Sequence, residues 1–130
     1  MIVFKPEVIP SDICKIDPYL RVVLSYFEAY CVQFEINHGI VKVTSIMSDI
    51  VEGRISDTHK EGRAVDVSLD GISEFHRNKI NHFLNSRFAQ DWGTRPVDSD
   101  KKLRVCVIHD SGRGIHCHLQ VRRGISFDVT

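Results

Sequence analysis

The chain has 130 residues, its 17 Lys and Arg offset by 17 Asp and Glu, with 7 His and 42% hydrophobic side chains. That length suits one domain, residues 1–130, built on a single core, and the neutral balance, without a basic block or tail, excludes the electrostatic footprint of a nucleic-acid or anionic-membrane binder. The opening MIVFKPEVIPSD has no signal-peptide pattern, and no window nears the roughly 18 apolar residues of a membrane span, so synthesis as a soluble cytoplasmic protein is expected.

In chain order, the first predicted element is a helix in IDPYLRVVLSYFEAYCVQF. Asp17 stands at its N-cap, Pro18 at its first helical position, and Leu20, Val23, Leu24, Phe27, Cys31 and Phe34 repeat at helical spacing. Gly39 is a stop signal, and Ile40 to Ile46 follow with the β-branched, partly alternating character of a strand. Ser48 to Arg63 are polar and aperiodic, as in a surface loop.

AVDVSL then alternates strictly. Val65, Val67 and Leu69 face one way, and Ala64, Asp66 and Ser68 the other. DGISEFHRNKINHFLNSRF predicts a second helix capped by Ser73, with Ile80, Phe83, Leu84 and Phe88 inward. A polar loop, WGTRPVDSDKK, leads to a hairpin of LRVCVIH and IHCHLQV, and ISFDV adds a short final strand. The pattern predicts an α+β single domain with helices on one face of a largely antiparallel sheet. Cys14, Cys31, Cys106 and Cys117 form no Cys-x-x-Cys pair and are expected as reduced core thiols. His38, His76 and His82 read as surface or helix-end residues, and Trp92 as packing its loop onto the domain.

Within IHCHLQV the strand period sends His116, His118 and Gln120 to one face and Cys117, Leu119 and Val121 to the other. Two imidazoles on alternate strand residues, a strand-borne Asp66 and a third imidazole at His59 supply a His/Asp/His set for a divalent metal. Zinc suits such N and O donors, since three protein ligands and one open position form its catalytic arrangement.

These residues resemble a known family. THKEGRAVD follows the His-x-x-Gly-x-Ala-x-Asp signature of zinc peptidases that cleave peptidoglycan peptides, through His59, Gly62, Ala64 and Asp66, and HCH follows their second motif, His-x-His. The group includes D-alanyl-D-alanine carboxypeptidases, murein endopeptidases and phage L-alanyl-D-glutamate endolysins, and shares a fold with the hedgehog signalling domain; the resemblance covers roughly Ile40 to Val121. It implies His59, Asp66 and His118 as zinc ligands, His116 as an active-site residue beside the metal, and a peptidoglycan peptide as substrate. A monomer is expected that reaches the cell wall after release. Independently of the family, Gly62 permits a tight turn after His59, and Ala64 leaves room on the Asp66 face.

Three departures bear on the chemistry. Many relatives carry Glu three residues before the third ligand, where this chain has Ile115; Asp57 replaces a frequent Ser; and SIMS, Ser45 to Ser48, stands where relatives supply a substrate-binding Arg. His116 is then the leading candidate for the base, because a neutral imidazole titrates near neutral pH, with His109 and Asp110 as alternatives. Arg54 or Arg63 is the candidate partner for a substrate carboxylate. The competing readings are a zinc-stabilised binding or structural protein without turnover, and a cupin-like barrel, which LQVRRG fits poorly because it lacks the expected Glu.

Overall fold

The structure is a computed structural model that describes residues 1–46, 62–94, 102–110 and 114–124. Five strands, β1 (Ile2–Phe4), β2 (Val41–Ser45), β3 (Ala64–Ser68), β4 (Cys106–Asp110) and β5 (Ile115–Gln120), form one sheet in the order β1-β2-β3-β5-β4. Helices α1 (Pro18–Gln33) and α2 (Glu74–Trp92) complete an α+β architecture, with 3-10 turns at Pro10–Lys15 and Ile36–Gly39.

The expected largely antiparallel sheet is corrected to a mixed one. β1, which the sequence reading left out, runs parallel to β2, while the β2–β3, β3–β5 and β5–β4 pairings are antiparallel. A parallel neighbour requires a long crossover, here the whole of α1, and that relation leaves no local trace in a three-residue strand.

Both helix starts follow from capping chemistry. The Asp17 carboxylate accepts the Tyr19 backbone N–H at 2.8 Å with Pro18 behind it, and the Ser73 hydroxyl accepts the His76 N–H at 3.3 Å. α1 buries Leu20, Val23, Leu24, Phe27 and Cys31; α2 buries Ile80, Leu84, Phe88 and Ala89. These side chains share one core with Val65, Val67, Cys106, Cys117 and Leu119, so the helices cover the sheet face carrying the apolar half of each alternating strand.

Several local expectations are corrected. Phe83 points outward and is 38% exposed, although it lies in the helical stripe. Cys14 is exposed on the first 3-10 turn, whereas Cys31, Cys106 and Cys117 are buried free thiols, the latter two in contact across β4 and β5. Trp92 ends α2, stacking on Phe88 at 4.8 Å and meeting Tyr19 edge-on at 4.7 Å. β4 starts at Cys106 because the Asn85 side-chain oxygen accepts the N–H groups of Val105 and Cys106, while Arg104 pairs with Thr94. The expected strand ISFDV, residues 125–129, and most of the loop before β3 lie outside the described residues. Among the described residues no helix is long and apolar enough to cross a membrane.

Candidate functional site

β3 and β5 pair in a register that sets Asp66 opposite His118, Ser68 opposite His116 and Ala64 opposite Gln120. Directly opposed residues of an antiparallel pair point to the same side. β4 adds His109 opposite His116. Period-two alternation and strand register thus gather one carboxylate, three imidazoles and one carboxamide on the sheet face away from the helices. An irregularity between Val43 and Ser45 also brings Ser45 opposite Asp66.

The centre of this face is His118. Its Nδ1 stands 3.0 Å from Asp66 Oδ1, and its Nε2 stands 2.9 Å from Gln120 Oε1. Gln120 is 4% exposed, and its amide nitrogen donates to the Arg104 carbonyl at 3.3 Å, which turns its oxygen towards the ring. With the Gln120 oxygen turned to the ring, Nε2 is the donor of that contact. Nδ1 then presents a lone pair to a carboxylate oxygen, an arrangement that a shared proton or a metal ion would stabilise. The side chains of His118 and Asp66 are 15% and 19% exposed, so such a charge is shielded from bulk water but reachable.

His109 and His116 flank this pair. The two rings lie 5.6 Å apart between centroids, and His109 meets His118 edge-on at 6.1 Å. His116 keeps a long 3.4 Å contact from Nδ1 to the Gly114 carbonyl. Ile115 packs against the core, on the opposite side of β5 from the imidazoles. A carboxylate at that position would point away from His118 if the strand kept its present pleat.

Gly62 adopts φ +69°, and a Cβ there would meet the Lys15 carbonyl oxygen at 2.8 Å. Its own carbonyl accepts the Asp17 N–H at 2.8 Å, fastening the start of β3 to the start of α1. Ala64 is fully buried beside Gln120. The Arg63 guanidinium donates to the Val121 carbonyl at 3.0 Å, so part of its donor fork is used on the backbone of the domain. His59 and Arg54 lie outside the described residues, and so does Asp57. Among the described residues, no three His, Cys, Asp or Glu side chains are gathered closely enough to hold a metal ion.

Donor chemistry at Asp66 and His118, the two expected ligands that lie among the described residues, suits a divalent metal. A carboxylate oxygen and an imidazole nitrogen face each other, and the second ring nitrogen is held by an outer acceptor, as is usual for metal-binding histidines. The role of Gln120 escaped the sequence reading, which put it on the right face; the signal was its place two residues beyond His118 on a strand. The chain matches no protein-family model, no curated protein and no solved structure.

Proposed function

We propose that the protein is a zinc peptidase of the hedgehog/D-alanyl-D-alanine peptidase fold that hydrolyses peptide bonds in peptidoglycan, in the manner of a phage endolysin or endopeptidase. The observation that carries this reading is the Asp66–His118 pair, 3.0 Å apart, with Gln120 holding the far ring nitrogen. In the sequence, Asp66 closes the signature His59-x-x-Gly62-x-Ala64-x-Asp66. His59, Asp66 and His118 would hold the metal, which supplies a Lewis acid for the scissile carbonyl and lowers the pKa of its water towards 7.

The chain's own residues handle the protons. His116, on the same strand face as His118, takes the proton from the attacking water and returns it to the leaving amine as the C–N bond breaks, with His109 beside it as the second imidazole. Arg54 or Arg63 would meet a substrate carboxylate. The enzyme would work as a monomer, made in the cytoplasm and acting on the wall after release.

A second reading, a zinc-binding protein of the same fold without turnover, is favoured by Ile115 packing into the core and by Arg63 bonding to Val121. One experiment separates the two. Zinc content and release of soluble peptides from purified peptidoglycan are measured for the wild type, His118→Ala and His116→Ala. The peptidase reading expects near-stoichiometric zinc, lost in His118→Ala, and turnover abolished by both changes. Stoichiometric zinc without turnover on any wall type establishes the binding protein, and absence of zinc from the wild type overturns both.

A further inference from the structure

On the opposite side of the molecule, the solvent-facing residues of α1 and α2 line a groove of about 870 Å³. Its floor is aromatic: Tyr26 and Tyr30 come from α1, Phe34 from the residue that caps its C-terminus, and Phe75 and Phe83 from α2. Phe34 is 48% exposed and Phe75 64%, large apolar surface for a helix pair whose buried side is already satisfied by the core. Tyr30 is held by a 3.1 Å hydrogen bond to His76, which helps fix the floor.

The charged side chains lining the groove are cationic. Lys79 lies over the Phe75 ring at 5.5 Å and Arg87 over the Tyr26 ring at 5.1 Å. Neither is ion-paired among the described residues, and no carboxylate lines the groove there. They are eight residues apart on α2, about two turns or 12 Å along its axis.

The geometry points to a docking site for an acidic amphipathic helix of a partner protein, with apolar side chains on the aromatic floor and carboxylates two turns apart meeting Lys79 and Arg87. A channel between two helices accepts a third through anchors at i, i+4 and i+7, and aromatic residues and Arg dominate the energetics of such interfaces. A symmetric dimer through this face is disfavoured, because a two-fold interface must be self-complementary and the groove offers cations without carboxylates. Single-stranded nucleic acid fits less well. It requires a cationic track and open stacking faces, whereas two cations serve the groove and its rings lean on one another, Tyr30 with Phe34 at 4.5 Å and Tyr26 with Phe83 at 6.2 Å.

The test is selection of helical peptides from a phage-displayed random library on the full chain, followed by affinity measurement on the selected peptides. The expected winners carry apolar anchors at i, i+4 and i+7 and two carboxylates two turns apart, and lose at least tenfold in affinity for the Lys79→Glu/Arg87→Glu variant. That variant should in turn bind the same peptides with Lys in place of the two carboxylates, which separates a lost contact from a lost fold. Failure to select any peptide, selection of peptides without the carboxylates, or equal affinity for the charge-reversed variant overturns the proposal. So does a wild-type dimer in sedimentation that Phe34→Ser and Phe83→Ser dissociate, since the groove would then belong to a second copy.

Discussion

Gln120 and Gly62 constrain the site in different ways. Gln120 acts on one ring: by accepting the Nε2 proton of His118 it leaves the Nδ1 lone pair turned to Asp66. Gln120→Leu removes that acceptor while keeping bulk, and the proposed zinc site then predicts a fall in zinc affinity of about 10- to 100-fold, the usual effect of losing an outer partner of a metal-bound histidine. Gln120→Glu should retain most of the affinity. Competition against a chromogenic chelator reads both, and circular dichroism checks that the chain remains folded. Gly62 acts on the backbone. Its positive φ and its 2.8 Å approach to the Lys15 carbonyl oppose any side chain, so Gly62→Ala should cost about 2 kcal/mol in urea unfolding. An unchanged midpoint would mean that the turn relaxes without strain.

At the scale of elements, Asn85 shows how a helix sets a strand. From α2 its side-chain oxygen accepts the Val105 and Cys106 N–H groups at 2.8 and 3.1 Å, and its nitrogen donates to the Cys106 carbonyl at 2.9 Å. Asn85→Ala leaves two donors and one acceptor without these partners at a partly buried strand end. Unfolding free energy should fall by about 2–3 kcal/mol, and amide exchange should accelerate first at Val105 and Cys106. This clamp also explains what the sequence could and could not reveal. Both helices were legible because Asp17, Pro18 and Ser73 are local signals, and the period of two in β3 and β5 put Asp66, His116, His118 and Gln120 on one face. The start of β4 was not legible, because the groups that displace it lie about 20 residues upstream on another element. β1 was hidden for a similar reason: three residues hold too little pattern, and its parallel partner is reached through a helix. Asp66 and His118 could be assigned to a common face from alternation, but their mutual contact depends on long-range register.

Taken as a whole, the molecule separates a polar sheet face from an apolar core, and the buried thiols of that core shape its response to alkali. Burial pushes the Cys31 thiol from its usual 9.0 up to about 11, with Glu28 adding to the rise and the N-terminal ammonium opposing it. Burial likewise lifts Cys117 well above its ordinary value, reinforced by the hydrogen bond with Cys106. A thiol whose pKa is raised on folding is bound more tightly to its proton in the folded chain than in the unfolded one. The stability it contributes is therefore complete below about pH 9 and is lost as the pH rises through the folded value. Urea unfolding midpoints should be flat from pH 7 to 8.5 and fall steadily between pH 9 and about 11. Cys31→Val keeps an apolar side chain at a fully buried position but removes the titrating proton, so its midpoint should fall less over the same range. If the wild type and Cys31→Val lose stability in parallel, the alkaline loss arises elsewhere, with Cys117→Val the next variant to compare.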